Sequence, residues 1–533
     1  MGKLIVGVVV VLGVMGLHTA AEPQLEGATI SGTVKGPAGN GLSGVLVRLI
    51  NRDRGITTSV VTQTDGRYEA KSLFSGTYEV LAERTGFETA ARGNIDVDTS
   101  SSPSIDLVLD RQKTQEVQLT PADVYAQFPE DPDKTLVTDA CFRCHSMGDL
   151  VRARKDREGW QRTINIMARR RFGDGLTPEI TERLVNYFSK YFHPRRPAPP
   201  ALERRVEPPV KGPTVTIREY VIPDQGQNPA PHIFSEYGTS SMRRPSHVFP
   251  HNISVDPKGM VWFAMYQANK IGRLDPMTGQ FRSFPVETPA SVPHGITFAE
   301  DGSIWFTEFR GKKVGHLDPE TGKITEILMN AGGNTIAGDS QGNMYLTMYE
   351  SNQIGKVDTR TGETTTYDLL TPSAHPYGLT VDQKDQVWWC QLHADSIGRL
   401  DPTMGKITEY PTPTPYSGPR RLTVDQNGEI WFTEWMANKL GRLDPVTGEI
   451  TEYELPTPHS EPYVVEVDRE DNLWVAGYLS NTIALFDRNN GSFTEYPIPT
   501  PGAQIRKMAT DPKRGVWFAE SYTDVVGHIV LEP

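Results

Sequence analysis

The stretch IWFTEWMANKLGRLDPVTGEITEY, residues 430–453, decides how the chain is read. Its short apolar–polar runs, broken at Met436-Ala437-Asn438 and again at Asp444-Pro445-Val446-Thr447-Gly448, read as short strands joined by tight turns. Nearly the same block stands at 304–327 as IWFTEFRGKKVGHLDPETGKITEI. The anchoring aromatic of the unit recurs at Trp262, Trp305, Tyr345, Trp388, Trp431, Trp474 and Trp517, at spacings of 43, 40, 43, 43, 43 and 43 residues. A β-rich period of 40–45 residues marks a propeller blade, so seven units predict a seven-bladed β-propeller over residues 213–533. The last unit stops at Val530-Leu531-Glu532-Pro533, short of its fourth strand. The orphan segment Thr216-Ile217-Arg218-Glu219-Tyr220-Val221-Ile222-Pro223 matches the missing strand and is expected to close the ring, which would remove its free edges.

The repeat also predicts a site. Eleven residues before each anchor begins the innermost strand, giving His251, His294, Asn334, Tyr377, Arg420, Tyr463 and Arg506. Three residues after each anchor stand Met265, Glu308, Met348, Gln391, Glu434, Gly477 and Glu520. Because the first strand runs away from one face and the second returns, both sets are expected at one end of the axis. Tyr377, Arg420, Tyr463, Arg506, Glu434 and Glu520 are therefore candidate ligand residues of a central channel. The competing reading is a merely hydrated channel. Cys390, within Trp388-Trp389-Cys390, reads as a buried apolar filler.

Through its Trp-Phe-Thr-Glu, Asn-Lys-Ile-Gly-Arg and Thr-Glu-Tyr-Pro blocks, the repeat resembles the virginiamycin B (streptogramin B) lyase family. That resemblance implies Mg²⁺-dependent β-elimination at the ester of a cyclic depsipeptide, with catalytic residues His294, Glu308 and His251. His294 would be the base and a Mg²⁺ held on Glu308 would polarise the developing enolate. Two positions depart from the family pattern. Val292 stands where a metal-holding glutamate belongs, and Asn334 replaces a tyrosine.

Upstream, Lys3, the apolar run Leu4 to Leu17 and the small residues Thr19-Ala20-Ala21 read as a signal peptide over residues 1–21. A run of 14 apolar residues is short of the ~20 that span a bilayer, so an exported protein without a membrane span is expected, periplasmic or extracellular. Residues 27–110 alternate in short runs punctuated by Gly39-Asn40-Gly41, Asp65-Gly66 and Ser75-Gly76, which suggests a β-sandwich. Strands are expected at Ile30 to Val34, Val45 to Ile50, Ser59 to Thr62, Tyr68 to Lys71, Tyr78 to Glu83 and Ile105 to Leu109. Thr64-Asp65-Gly66-Arg67-Tyr68, with Leu73, Gly76-Thr77-Tyr78 and Gly86-Phe87, resembles the carboxypeptidase regulatory-like domain, which implies an accessory role.

Cys141-Phe142-Arg143-Cys144-His145 has the spacing of covalent c-type haem attachment. Cys141 and Cys144 would take the vinyl groups of one haem c, and His145 would be the proximal iron ligand. A redox dithiol would want a βαβ setting, and a zinc site a second ligand pair. Glu158 to Arg171 reads as a helix placing Trp160, Ile164 and Met167 near one face, and Thr177-Pro178-Glu179 starts another. These stretches resemble short c-type cytochrome domains fused to larger enzymes. The resemblance implies a distal methionine, with Met167 the candidate, His193 the alternative and a core methionine the competing reading. The cytochrome-like unit spans 120–196, and a Pro- and Arg-rich linker spans 197–212.

The formal charge of -12 argues against a nucleic-acid binder. It is unevenly spread, because residues 142–206 carry net +8. That surface either pairs within the protein or docks an acidic redox partner protein. The expected fold is thus mainly β: an N-terminal β-sandwich, a small α-helical cytochrome c domain and a C-terminal seven-bladed propeller. Three functions remain open at this stage. The first is electron transfer through haem coupled to a propeller that binds, and can oxidise, a small molecule. The others are a streptogramin-type lyase and a non-catalytic module binding carbohydrate or peptide.

Overall fold

Each repeat folds into a four-stranded antiparallel sheet, and the conserved-looking letters of the unit have structural work. In the fifth unit the strands are Pro419–Val424, Ile430–Glu434, Lys439–Leu443 and Ile450–Glu454. Asp425 ties the first turn: its Oδ1 accepts the backbone N–H groups of Asn427 and Glu429, both at 2.9 Å. Its Oδ2 accepts the indole N–H of Trp431 at 3.0 Å. The same Asp-to-Trp bond recurs at Asp256–Trp262, Asp382–Trp388, Asp468–Trp474 and Asp511–Trp517. It satisfies the one polar atom of a large ring buried between blades.

Gly441 is required by contact. A Cβ there would lie 2.2 Å from the Phe432 ring across the ladder, and one built on Gly272, Gly315, Gly398 or Gly527 would lie 2.1–2.4 Å from an aromatic ring. Asn438 turns the second strand into the third at φ 59°, donates to Leu455 O and Thr457 O, and accepts from the N–H of Ser460.

The computed structural model describes residues 27–111, 125–126, 128–141, 155–170, 177–193, 213–223, 248–299 and 301–532. The expected signal peptide, linker, Cys144 and His145 lie outside the described residues, as do the side chains of Cys141 and Met167. The segment Val215–Val221 pairs with Val525–Leu531 and supplies the fourth strand of the seventh blade, as its sequence predicts. Its other edge pairs with Ile56–Val61 of the N-terminal domain. One eight-stranded sheet therefore runs from the last blade into the sandwich, and neither edge is left open there.

The sandwich strands are found at Ala28–Lys35, Leu46–Asn51, Ile56–Val61, Arg67–Leu73, Gly76–Glu83 and Leu107–Val108. A further strand, Ala90–Val97, escapes the sequence reading because it is mostly exposed and shows no apolar alternation. Helices occupy Lys134–Cys141, Arg157–Arg170 and Pro178–Tyr191. Thr177 caps the last one, its Oγ1 accepting the Ile180 N–H at 3.2 Å with Pro178 in the first turn. Trp160 stacks on Phe188 at 4.6 Å, and Ile164, Leu184 and Val185 are buried with them.

This helical core is continuous with the propeller. Its cluster extends through Tyr349, Tyr377, Leu392, Trp435, Tyr463 and Tyr478. The ring of Tyr125 meets His459 edge-on at 4.9 Å. Among the described cations of this unit, Arg157, Arg162, Arg183 and Lys190 pair with Glu182, Glu158, Asp133 and Asp131 of the same unit. Among the described residues, no helix is long and apolar enough to cross a membrane.

Candidate functional site in the propeller channel

The innermost strands gather the expected ring. His251, His294, Asn334, Tyr377, Arg420, Tyr463 and Arg506 are all buried. The imidazoles of His251 and His294 stand 3.9 Å apart between centroids. His294 donates from Nδ1 to the Asn334 carbonyl at 2.9 Å, which leaves Nε2 as its lone-pair nitrogen. Burial first, and Arg421 second, hold His294 down at about 3. Burial and the neighbouring His294 likewise keep His251 well below the ordinary range. Both rings are neutral at pH 7.

Opposite them stands an arginine–tyrosine cluster. Tyr463 Oη lies 2.5 Å from Tyr377 Oη and accepts from Arg420 Nη2 at 3.1 Å and Arg506 Nη1 at 3.4 Å. Arg506 Nη2 donates to Tyr478 Oη at 2.9 Å. Arg420 Cζ lies 4.1 Å from the centroid of the Tyr463 ring and 4.2 Å from that of Trp435. Burial alone would push the Tyr463 phenol up, but Arg420, Arg506 and Arg421 outweigh it and pull it down to about 6.

Arg421 was not among the sequence candidates. Its Nη2 reaches Asn252 Oδ1 at 2.8 Å and its Nη1 reaches Thr335 Oγ1 at 3.4 Å, on other blades. The pairing of its strand shifts register between Pro419 and Leu422, so two consecutive arginines face the axis where strict alternation would allow one. Tyr478 and Trp435 were also missed. They follow the second strand of their blades, outside the positions the eleven-residue step selects.

The carboxylates expected at the same end as the ring are fully buried. Glu308, Glu434 and Glu520 sit at the same end of their blades, but strand side chains alternate between the two faces of a sheet, and both faces here are covered by neighbouring blades. Trp431 joins the core shared with the sixth blade, and Phe432 the core shared with the fourth. Glu434 follows the same alternation into the blade, beside Lys439 and Glu452. Burial first, and Glu452 second, raise it to about 8. Glu308 is raised to about 7 by burial and by Glu326. The carboxylate oxygens of Glu308 and Glu434 are buried without a hydrogen-bond partner. Glu520 is raised by burial and by its neighbour Glu219.

This arrangement does not fit Mg²⁺. The ion wants several oxygen ligands in near-octahedral order, whereas His251 and His294 offer nitrogens, Val292 offers nothing, and Glu308 lies beside Glu326 and Lys313. Among the described residues no three His, Cys, Asp or Glu side chains converge to hold a metal ion. Val292 is itself held at φ 61°, unusual for a β-branched residue. Cys390 is fully buried, and burial pushes its thiol up, as a filler requires.

Comparison with known proteins agrees with the architecture. The virginiamycin B lyase family is matched over residues 235–486, and the carboxypeptidase regulatory-like domain over residues 29–110. Among solved structures, a selenomethionine-substituted virginiamycin B lyase from Staphylococcus aureus shares 30% identity, with a TM-score of 0.51. The match covers 54% of this chain and 96% of that one. A streptogramin B lyase shares 31% identity over 55% of this chain and 96% of that one, with a TM-score of 0.51. A catalytically inactive virginiamycin B lyase from Staphylococcus aureus, solved with quinupristin, shares 26% over 60% and 100%, with a TM-score of 0.53. A comparison with curated proteins finds no match. Through its propeller, this chain belongs to the virginiamycin B lyase family.

Proposed function

We propose that the chain is an exported electron-transfer protein in which a monohaem domain serves a ligand-binding propeller channel. The observation that carries this reading is the seating of the helical unit at the channel. Its core runs without a break into Tyr377, Tyr463, Trp435 and Tyr478. Tyr125 packs on His459, four residues before Tyr463. Burial and the nearby Lys134 charge lower His459, which places the first turn of Lys134–Cys141 beside that loop. At 1.5 Å per residue, this helix carries the chain about 10 Å from the loop to Cys141, where the C-x-x-C-H motif begins.

The donor chemistry of the motif suits haem c: two thiols for attachment and one imidazole for iron. When bound, haem supplies one-electron transfer. The chain's own residues bind and orient the channel ligand, keep it out of bulk water and hold His251 and His294 as neutral acceptors. A redox partner protein would take up the electrons.

The lyase reading is weaker on its own residues. Among the described residues no Mg²⁺ site is assembled, and a histidine held at about 3 is a poor base for a proton α to an ester. Incubating a streptogramin B with the protein and Mg²⁺ is expected to give no linear isomer of unchanged mass; its appearance, abolished in His294→Ala, would restore that reading. The electron-transfer reading is tested by exporting the full chain with cytochrome c maturation and taking a pyridine haemochrome spectrum. One c-type haem per chain is expected, with loss of the covalent band in Cys141→Ser and Cys144→Ser. A folded, exported chain without that band overturns the proposal.

A further inference from the structure

The geometry points to an oxyanion as the channel's ligand: a carboxylate or phosphate carried on a small planar molecule and clamped by Arg420, Arg421 and Arg506. This rests on the reading that the channel is the ligand site and adds the chemistry of what enters it.

Three guanidinium groups stand within one polar cluster, and each residue is at least nine-tenths buried. Among the described residues, none is paired with a carboxylate. Their hydrogen-bond partners are hydroxyl and amide oxygens: Tyr463 for Arg420, Asn252 and Thr335 for Arg421, and Tyr463 and Tyr478 for Arg506. The Nε atoms of all three are buried with no hydrogen-bond partner. Burying an uncompensated charge is costly, and stacking on aromatic faces offsets only part of that cost. Three such charges around one channel therefore describe a site missing its counter-charge.

The surroundings sharpen the class of ligand. The histidines cannot share the role, since they stay neutral beside the arginines. The nearest acidic group, Tyr463, has been drawn toward its phenolate and acts as a partial stand-in for the anion. Glu308 and Glu434 have Lys313 and Lys439, not these arginines, as their cationic neighbours. Arginine forks match the planar oxygens of carboxylate and the oxygens of phosphate two at a time. The rings of Tyr377, Trp435, Tyr463 and Tyr478 pack against the Arg420 and Arg506 guanidinium groups, an aromatic surround that suits a planar body behind the anionic head.

Isothermal titration of the full-length holoprotein with benzoate and with its neutral analogue benzamide, in low-chloride buffer, tests this. Benzoate should bind at least tenfold more tightly than benzamide. Arg420→Gln and Arg506→Gln should each weaken benzoate at least tenfold, whereas Tyr463→Phe, which removes the competing phenolate, should hold or tighten it. Should the arginine variants fail to fold, the wild-type benzoate-to-benzamide ratio and the response of Tyr463→Phe decide. Inorganic phosphate displacing benzoate supports a phosphate-bearing ligand, and failure to displace it supports a carboxylate. Equal binding of benzoate and benzamide overturns the oxyanion while leaving the channel a ligand site. Binding of neither overturns the inference, and the haem stoichiometry, read independently, then decides the wider reading.

Discussion

Tyr463 and Glu434 titrate in opposite senses, and each makes a prediction at the scale of one residue. A phenol drawn down to about 6 by three guanidinium charges should be seen as one tyrosinate absorbance step far below the usual range near pH 10. Tyr463→Phe should abolish that step and Arg506→Gln should move it upward; no step below pH 8 would contradict the cluster. Because the folded pKa lies below the unfolded one, this group's stabilisation grows as pH rises from about 6 toward 10 and is lost as pH falls through 6. Glu434 works the other way. Its folded pKa of about 8 lies above its unfolded value, so its contribution is intact below about pH 4.5 and lost as pH rises through 8. Glu434→Gln removes that loss, and the fourth blade already carries the neutral solution, with Gln391 donating to Ser396 Oγ at 2.8 Å. The variant is expected to gain about 4 kcal/mol in denaturant unfolding at pH 8 and nothing at pH 4. Equal effects at both values would contradict the assignment.

At the scale of the element, the letters of the repeat are mostly packing instructions, which is why the fold could be read from the sequence and part of the site could not. The Asp-to-Trp spacing, the glycine under each aromatic and the turn asparagine recur because each solves a contact that recurs. Gly441→Ala, which drives a methyl into Phe432, should therefore cost about 1–3 kcal/mol in thermal unfolding, although the residue touches no candidate ligand. The eleven-residue step found His251, His294, Tyr377, Arg420, Tyr463 and Arg506, since the start of the innermost strand is fixed by the period. Arg421 was hidden by a bulge, which breaks the alternation that sequence reasoning assumes. For Glu308, Glu434 and Glu520 the end of the blade followed from strand direction, but the face each side chain takes depends on neighbours that cover both sides. The shared strand Val215–Val221 is the most exposed to failure. Ile217→Pro would delete a donor from a strand paired on both edges, with Ser59 on one side and Ile529 on the other. A loss of about 3 kcal/mol or more is expected, with proteolysis reaching the sandwich and the seventh blade together. Cleavage confined to one of them would contradict the continuous sheet.

At the scale of the molecule, the three units are joined at two places with different consequences. The sandwich continues the seventh blade through backbone pairing, a structural junction that suits the accessory role implied by its family. The helical unit instead meets the propeller through side chains at the channel, where Arg420 stacks on Trp435 within their common core. That second junction is what makes one protein of the two halves in the proposed function. The direct measurement is the haem reduction potential of the wild-type holoprotein against Arg420→Gln. A positive charge favours the reduced state, so its removal should shift the potential negative. For one buried charge at an effective dielectric of about 20, the shift is on the order of tens of millivolts. A potential unchanged by the substitution in a folded, haem-loaded protein would contradict coupling between the haem domain and the channel.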